Sequence, residues 1–175
     1  MKKVLTAAVT LFLTLGLQAQ GIKMLDKVKD SRATFHYTYS LSRAGGDFTP
    51  VTDGDVMVED NCYIMNGLGI KVTSNGEIRL SVDPEAKEAV VEKVEKEDIF
   101  TNPALFIGSY KNYLDRITVN SSDNKTSMDV TLMLDDDTKA RFVLTDIIFV
   151  PKEGKSDFTV DVKSLPEDYI VTDLR

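Results

Sequence analysis

Short stretches in which apolar and polar residues alternate are the pattern that most limits how this chain can fold. In residues 34–41 the large side chains of Phe35, Tyr37 and Tyr39 alternate with small or polar ones. A period of two places successive side chains on opposite faces of a strand, so the pattern predicts strands with one apolar and one polar face. The same alternation recurs in residues 56–58, 70–73, 78–82, 117–119, 128–134, 140–144 and 158–162.

Short polar turns separate most of these stretches. Examples are SSDNKTS before residue 128 and DDDTK before residue 140. Parallel strand pairs need long crossover connections, whereas antiparallel pairs are joined by short turns. We therefore expect an antiparallel sheet with one face exposed to water.

Two stretches follow a helical pattern instead. Apolar residues three and four apart predict an amphipathic helix over residues 21–31. Asn102-Pro103 favours a helix start, since Asn caps a first turn and Pro fits its first position, and an apolar run continues to Tyr110. A short helix this apolar needs an equally apolar surface beneath it.

The segment SNGEIRLSVDPEAKEAVV supports two interpretations. Asn75-Gly76 is a turn dipeptide that leads into an alternating stretch, whereas Asp83-Pro84 resembles a helix start. Residues 85–98 are rich in good helix formers. Local pattern alone leaves open whether a second strand or a helix follows Asp83.

The N-terminus has the form of a secretory signal. Lys2 and Lys3 precede an apolar run over residues 4–17, and small or polar residues follow, which predicts a signal peptide over residues 1–19 cleaved after Ala19. The run is too short to span a bilayer. No cysteine lies near the cut, so we expect a protein that is exported and not lipid-anchored.

The net charge of the chain limits the classes of molecule that it can bind. The 175-residue chain carries a net charge of −7, which becomes −9 without the two lysines of the signal. Nucleic acid and anionic membrane surfaces require clustered Lys and Arg, and no such cluster is present. The length after residue 19 fits a single domain over residues 20–175.

No residue pattern predicts catalysis. His36 is the only histidine and falls on the polar side of its strand, Cys62 is the only cysteine, and Asp135–Asp137 has neither the spacing nor the glycine of a calcium loop. We interpret these as a solvated residue, a packed strand residue and a charged turn. The sequence thus predicts a non-enzyme without catalytic residues, metal site or cofactor.

Taken together, the pattern predicts an α+β fold. A large curved antiparallel sheet would carry one or two helices over its apolar side. Such a curled sheet encloses a volume, and either side chains or a ligand would fill it.

Five segments, in order and spacing, resemble the periplasmic outer-membrane lipoprotein carrier (LolA-like) family. They are ATFHYTYSL, GDVMVEDNCYIM, SNGEIRLSVDPEAKEAVVEKVE, NPALFIGSY and FTVDVKSLPEDYIVTDLR. The resemblance covers essentially all of residues 20–175. It implies an incomplete (half-open) antiparallel β-barrel with helices covering the apolar concave side, and it favours strands on both sides of an Asp83–Lys87 turn.

The function implied by the resemblance is carriage of acylated lipoproteins, or other lipids, across the periplasm toward the outer membrane. Its partners would be an inner-membrane release complex and an outer-membrane acceptor, with the carrier itself a monomer. The expected lid residues are Leu105, Phe106, Ile107 and Tyr110. The expected ligand contacts in the apolar cavity are Phe35, Tyr37, Tyr39, Val56, Val58, Ile64, Ile78, Leu80, Leu132 and Phe142.

The sequence departs from the family pattern at two positions. The aromatic residue that usually follows the turn-strand glycine is missing, with Leu80 nearest, and the second departure is at a functional position. Glu59 and Asp60 stand where these carriers have a basic residue associated with lid closure and cargo transfer. Two alternatives therefore remain beside the carrier. One is a lipid-binding or envelope-interaction module of the same fold without handover, and the other is a module whose interior is filled by its own side chains.

The alternation in residues 34–41 makes a testable prediction. Replacing Tyr37 by Asp should destabilise the fold by several kcal/mol, because it buries an unpaired charge. Replacing the neighbouring Thr38 by Asp should leave the thermal midpoint nearly unchanged. Equal shifts in the two melting curves would show that the predicted facing of this strand is wrong.

Overall fold

The computed structural model describes residues 19–95, 102–122 and 126–175. The predicted signal peptide lies outside these residues except for Ala19. Helix α1 is described over residues 19–30, and helix α2 spans Pro103–Ser109. The ten strands are β1 Arg32–Arg43, β2 Thr49–Glu59, β3 Cys62–Gly67, β4 Ile70–Ser74, β5 Ile78–Asp83, β6 Glu88–Lys93, β7 Ile117–Ser121, β8 Met128–Met133, β9 Thr138–Val150 and β10 Ile170–Asp173.

The strands form one open sheet in the order β10-β6-β5-β4-β3-β2-β1-β9-β8-β7. Most neighbours are antiparallel, as expected, but β10 pairs with β6 in parallel. The purely antiparallel prediction is therefore wrong at this edge. The described helices are too short or too polar to cross a membrane.

The segment after Asp83 forms a strand and not a helix. Asp83 accepts hydrogen bonds from the backbone N–H groups of Glu85 and Ala86, both at 2.9 Å, and so closes a tight turn into β6. Across that turn Leu80 pairs with Val91 in an antiparallel register. Pairing and burial outweigh the local helix propensity of this segment, which confirms the expectation drawn from the family resemblance.

One face of the sheet, here called the inner face, carries the main hydrophobic core. Phe35, Tyr37 and Tyr39 of β1 are buried there, while His36 and Thr38 between them are partly exposed. The predicted facing of residues 35–39 is confirmed. Directly paired residues share a face of a sheet, so the same side continues into β2, β3, β8 and β9.

Helix α1 contributes to the same core as the inner face. Leu25 and Val28 are fully buried in it, which confirms the predicted amphipathic helix. The helix approaches β7 so closely that a Cβ at Gly21 would lie 2.7 Å from the carbonyl oxygen of Val119. A larger residue at position 21 would push α1 away from the sheet.

The face of the sheet that is buried is not the same at its two ends. The paired row Thr34–Met57–Ile64–Thr73–Leu80 runs across β1 to β5 on the face opposite the main core, here called the outer face. Leu80, Ala89 and Val91 form a second buried cluster on that outer face. The predicted one-sided burial thus holds in β1 from Phe35 to Tyr39 but not across the whole sheet, and in β3 the adjacent residues Cys62 and Tyr63 are both buried.

A connecting segment covers the second cluster. Residues 151–169, here called the strap, leave β9 and cross the outer face to reach β10 at the far edge. Val160, Val162 and Leu165 of the strap pack against the cluster. This crossover is what permits the parallel β6–β10 pair.

The alternation in residues 158–162 predicted a strand, and that prediction is wrong. The region contains two 3-10 turns, Ser156–Phe158 and Val162–Ser164. The strap lies over the face of the sheet and not beside a strand edge, so no backbone ladder is available to it. Its apolar residues bury against side chains instead.

A buried ion pair anchors the start of the strap. Arg32 and Glu59 pair across β1 and β2, with Nε donating to Oε2 at 2.8 Å, and both side chains are almost fully buried. The Arg32 guanidinium also donates to Asp157 at 2.6 Å and to the carbonyl oxygen of Gly154 at 2.7 Å. One arginine thereby joins two strands to the strap.

The Glu59 carboxylate completes this anchor. It accepts hydrogen bonds from the backbone N–H groups of Glu153, at 3.1 Å, and Gly154, at 3.0 Å. Burial acts to raise the pKa of Glu59, but the two N–H donors and Arg32 outweigh burial and hold that pKa below its ordinary value. The charged form of Glu59 is therefore the one that the fold stabilises.

Replacing Glu59 by Gln tests the anchor. We expect a loss of about 3 kcal/mol in the free energy of unfolding at neutral pH, because Arg32 loses its buried counter-ion. Glu92→Gln is the control, since its pair with Arg79 is partly exposed and should cost less than about 1 kcal/mol. Urea denaturation curves give both values, and equal losses would contradict the anchor.

The pH dependence of the same variant follows from the lowered pKa. A carboxylate with a lowered pKa stabilises the fold above its unfolded pKa of about 4.3 and loses that contribution as the pH falls through the folded value. The difference between wild type and Glu59→Gln should therefore be constant near neutrality and shrink below about pH 4. A difference that grows in acid would contradict this assignment.

Candidate functional site

Two large apolar side chains of α2, and that of Tyr110 just after it, are buried in the same core as the inner face. Phe106, Ile107 and Tyr110 are at most 2% exposed. The Phe106 ring stacks on Phe142 of β9 at 5.8 Å between centroids, and Phe142 stacks on Tyr39 of β1 at 5.1 Å. Beneath this part of the helix the interior is filled by aromatic side chains.

The sequence signal for the start of α2 is confirmed. The Asn102 side chain accepts hydrogen bonds from the N–H groups of Ala104, at 2.9 Å, and Leu105, at 3.3 Å, and Pro103 occupies the first helical position. The helix has only seven residues and runs into a 3-10 turn, Tyr110–Tyr113. So short a helix has little stability of its own and depends on its packing.

A polar contact ties α2 to α1. The Tyr110 hydroxyl donates to the Asp26 carboxylate at 2.6 Å, and Lys111 Nζ lies 2.8 Å from the same oxygen. Hydrogen bonds from Lys111 and Tyr110 lower the pKa of Asp26, and burial together with Asp26 raises the pKa of Tyr110. We call these three side chains the latch.

One flank of α2 borders an open cleft. Leu105 is half-buried at this cleft, unlike the three buried lid residues. The cleft has a volume of about 480 Å³ and lies between α2 and the turns that join β2 to β3 and β4 to β5. Its lining residues are Asn61, Gly76, Val94, Glu95, Ala104, Leu105, Gly108, Ser109, Asn112 and Tyr113.

Most of the predicted ligand contacts lie together on the inner face. They are buried in one cluster with the lid residues Phe106, Ile107 and Tyr110. The members are Phe35, Tyr37, Tyr39, Val56, Val58, Leu132 and Phe142. Their grouping on one apolar face follows from the alternation in each strand.

Three of the predicted contacts lie elsewhere, and including them in one cavity with the others is wrong. Leu80 is buried in the second cluster under the strap, and Ile64 and Ile78 share its outer face by strand register. The apolar side of β5 is opposite to that of β1, so side chains of the two sets cannot line one cavity. Alternation within a strand does not reveal which side of the sheet its apolar face joins.

Sequence reasoning missed the continuation of the inner face toward β6. Met65, Val72 and Val90 follow the row of Phe35 and Val56 across β3, β4 and β6, and each is partly buried. Met65 and Val72 pack against the main core. The register of neighbouring strands, which the sequence does not state, was needed to find them.

The described residues offer no metal-binding cluster of three or more His, Cys, Asp or Glu side chains. Cys62 is buried at the start of β3, where its thiol contacts the carbonyl oxygen of Asn75 at 3.1 Å, and burial raises its pKa. His36 lies on the outer face with Nδ1 3.1 Å from Asp55. The side chains that α2 buries against the sheet are apolar and aromatic.

The sequence matches no protein-family model and no curated protein.

A double-mutant cycle tests the latch. Tyr110→Phe and Asp26→Ala should each lower the free energy of unfolding by about 1 kcal/mol, since each removes the same partly buried hydrogen bond. The double variant should lose little more than either single variant, with a coupling energy of about 1 kcal/mol. Denaturation in urea supplies the four values.

Asp30→Ala is the matched control for this cycle, because Asp30 lies one turn further along α1. Its combination with Tyr110→Phe should be additive. Additive losses for Asp26 and Tyr110 would show that the latch does not stabilise the lid.

Proposed function

We propose that this protein is an exported carrier that binds the acyl chains of lipoproteins, or of other lipids, and shields them from water. In this proposal the sheet is a half-open barrel whose apolar concave side is the inner face. Helices α1 and α2 cover that side, and α2 is the lid. An inner-membrane donor and an outer-membrane acceptor would be its partners.

The observation that carries the proposal is the position of α2. One seven-residue helix contributes Phe106 and Ile107 to the core of the inner face, while its other flank borders the open cleft at Leu105. A cover held by a few side chains is able to separate from the sheet without unfolding the strands. The half-buried row of Met65, Val72 and Val90 extends the apolar surface that such movement would reach.

The energetics favour exchange of the lid for a lipid. Moving Phe106 and Ile107 into water costs about 2–3 kcal/mol for each side chain. An acyl chain of about 16 carbons gains about 0.8 kcal/mol for each buried CH₂ group, or roughly 12 kcal/mol in all. Partial burial of one chain thus offsets displacement of the lid.

The departure at Glu59 bears on how cargo would be released. The Glu59 side chain lies on the outer face, where it accepts hydrogen bonds from Arg32 and from the backbone of the strap. It is therefore not placed to act on the lid as the basic residue of the resembling family does. This favours, as a second candidate, a lipid-binding module of the same fold that does not hand over lipoproteins.

Titration with a fluorescent fatty acid tests the binding step. Wild type should bind at micromolar concentrations, and Phe106→Ser should bind more weakly while remaining folded, because it alters the surface that meets the acyl chain. Phe158→Ser is the control, since Phe158 is equally buried but belongs to the strap, where its ring lies beside Arg32. No binding to wild type would end the carrier proposal, and equal weakening by both variants would remove α2 from the site.

A reversible cross-link tests whether α2 must move. A Cβ at position 108 would lie 3.5 Å from Asn61 Oδ1, so Gly108→Cys and Asn61→Cys, with Cys62→Ala, should bring two thiols within bonding reach. Oxidation should abolish fatty-acid binding and reduction should restore it. Unchanged binding by the oxidised protein would contradict lid movement.

A further inference from the structure

The outer face carries a second apolar surface that neither the core nor the strap covers. Ile148 of β9, Thr34 of β1, Met57 of β2 and Ile64 of β3 form a row across four neighbouring strands. Ile148 is 61% exposed, and Met57 and Ile64 are half-buried. With strands about 4.8 Å apart, the row is about 14 Å long.

Thr34, Met57 and Ile64 of this row are the floor of a groove, and Ile148 lies next to Thr34 at its edge. A hollow of about 340 Å³ lies over Met57 and Ile64, and a second, of about 280 Å³, continues from Ile64 beneath the strap toward Leu80. The strap, held by Arg32, forms one wall of the second hollow. The hollows share Ile64, so an apolar side chain placed in the first has a path toward the second.

Carboxylates form the other wall. Asp55 and Asp146 border the first hollow together with His36 and Asn66, and Asp53 lies beside His36. Asp146 occupies a β-bulge with a φ of 53°, where the register between β1 and β9 shifts. Bulges of this kind redirect a side chain, which here borders the hollow.

The charges around the groove indicate what kind of molecule would bind there. The second hollow is bordered by Lys71 and by two carboxylates of the strap, Asp161 and the Asp157 that accepts from Arg32. The carboxylates around the groove therefore outnumber its one lysine. A second copy of this acidic chain would bring like charge, and an anionic membrane surface would be repelled. A narrow groove bounded by the strap also fits a polypeptide segment better than it fits a flat partner such as a membrane surface.

We propose that this outer groove docks a short, basic, amphipathic segment of another protein. Two or three apolar side chains would lie along Ile148, Met57 and Ile64. Lysine or arginine side chains on one flank of the segment would contact Asp53, Asp55 and Asp146. A helix of about ten residues spans about 15 Å, which matches the length of the row. The surface faces away from α2, so docking leaves the lid free to move.

Binding of a synthetic peptide tests the proposal. The probe is a fluorescein-labelled amphipathic peptide of about twelve leucine and lysine residues, matched to the length of the groove. A peptide with glutamate in place of lysine is its counterpart. Fluorescence anisotropy should show binding of the lysine peptide to the purified full chain, weakening with added salt, and none of the glutamate peptide.

Two variants locate the binding surface. Ile148→Lys should weaken binding about tenfold, and the double variant Asp55→Asn, Asp146→Asn by a similar factor, because each removes one of the two kinds of contact. Leu174→Lys is the apolar control, since Leu174 is also 61% exposed. Asp136→Asn with Asp137→Asn, in the turn before β9, is the charge control. Both controls should bind like wild type.

The other outcomes would overturn the proposal. Absence of peptide binding at micromolar concentrations would do so, as would equal weakening by the controls. Self-association in sedimentation that Ile148→Lys abolishes would make the groove an interface between copies. Binding to phosphatidylglycerol vesicles that the same variant abolishes would make it a membrane contact. Fatty-acid binding should be unchanged in Ile148→Lys, so this test is separate from that of the carrier.

Discussion

Strand register is the constraint on which the rest of this structure depends. Residues paired across neighbouring strands share a face, so one row of pairs fixes the side on which every other row lies. The row that begins at Phe35 defines the inner face, and the row that begins at Thr34 defines the outer face. Because the buried residues of β5 and β6 (Leu80, Ala89 and Val91) belong to the outer rows, one end of the sheet needs a cover on the opposite side from the other.

Two different covers meet that need. Helices α1 and α2 pack on the inner face, and the strap packs on the outer face at β5 and β6. Their attachments also differ. The strap is anchored by a nearly fully buried arginine and glutamate, whereas α2 is a single short helix joined to α1 through the partly exposed carboxylate of Asp26. If one cover moves to admit a ligand, it is α2.

The anchor formed by Arg32 and Glu59 holds the strap on the outer face, whereas the latch joins the helices that pack on the inner face. Glu59 serves the strap on the outer face, so lid movement on the inner face does not depend on it. The strap in turn forms a wall of the second hollow of the outer groove, and the acidic wall of the first hollow is built on β2 and β9. A lipid site under α2 and a protein-docking groove on the outer face would therefore lie on opposite faces of the sheet.

The sequence by itself determined the local features. Alternation placed Phe35, Tyr37 and Tyr39 on one side of β1, and Asn102-Pro103 marked the start of α2 to the residue. These succeeded because a strand period and a helix cap depend only on neighbours along the chain. The strand after Asp83 needed the family resemblance as well, since its local helix propensity points the other way.

Only the tertiary structure decided on which side of the sheet the apolar residues of each strand lie. Ile64, Ile78 and Leu80 have the same alternation as Val56 and Val58, yet they lie on the opposite side, because register between strands is set by pairing partners far apart in sequence. Residues 158–162 alternate like a strand but lie across the sheet, where no edge offers hydrogen bonds. Burial of Glu59 beside Arg32 likewise depends on β1 and β2 being neighbours, which no short pattern encodes.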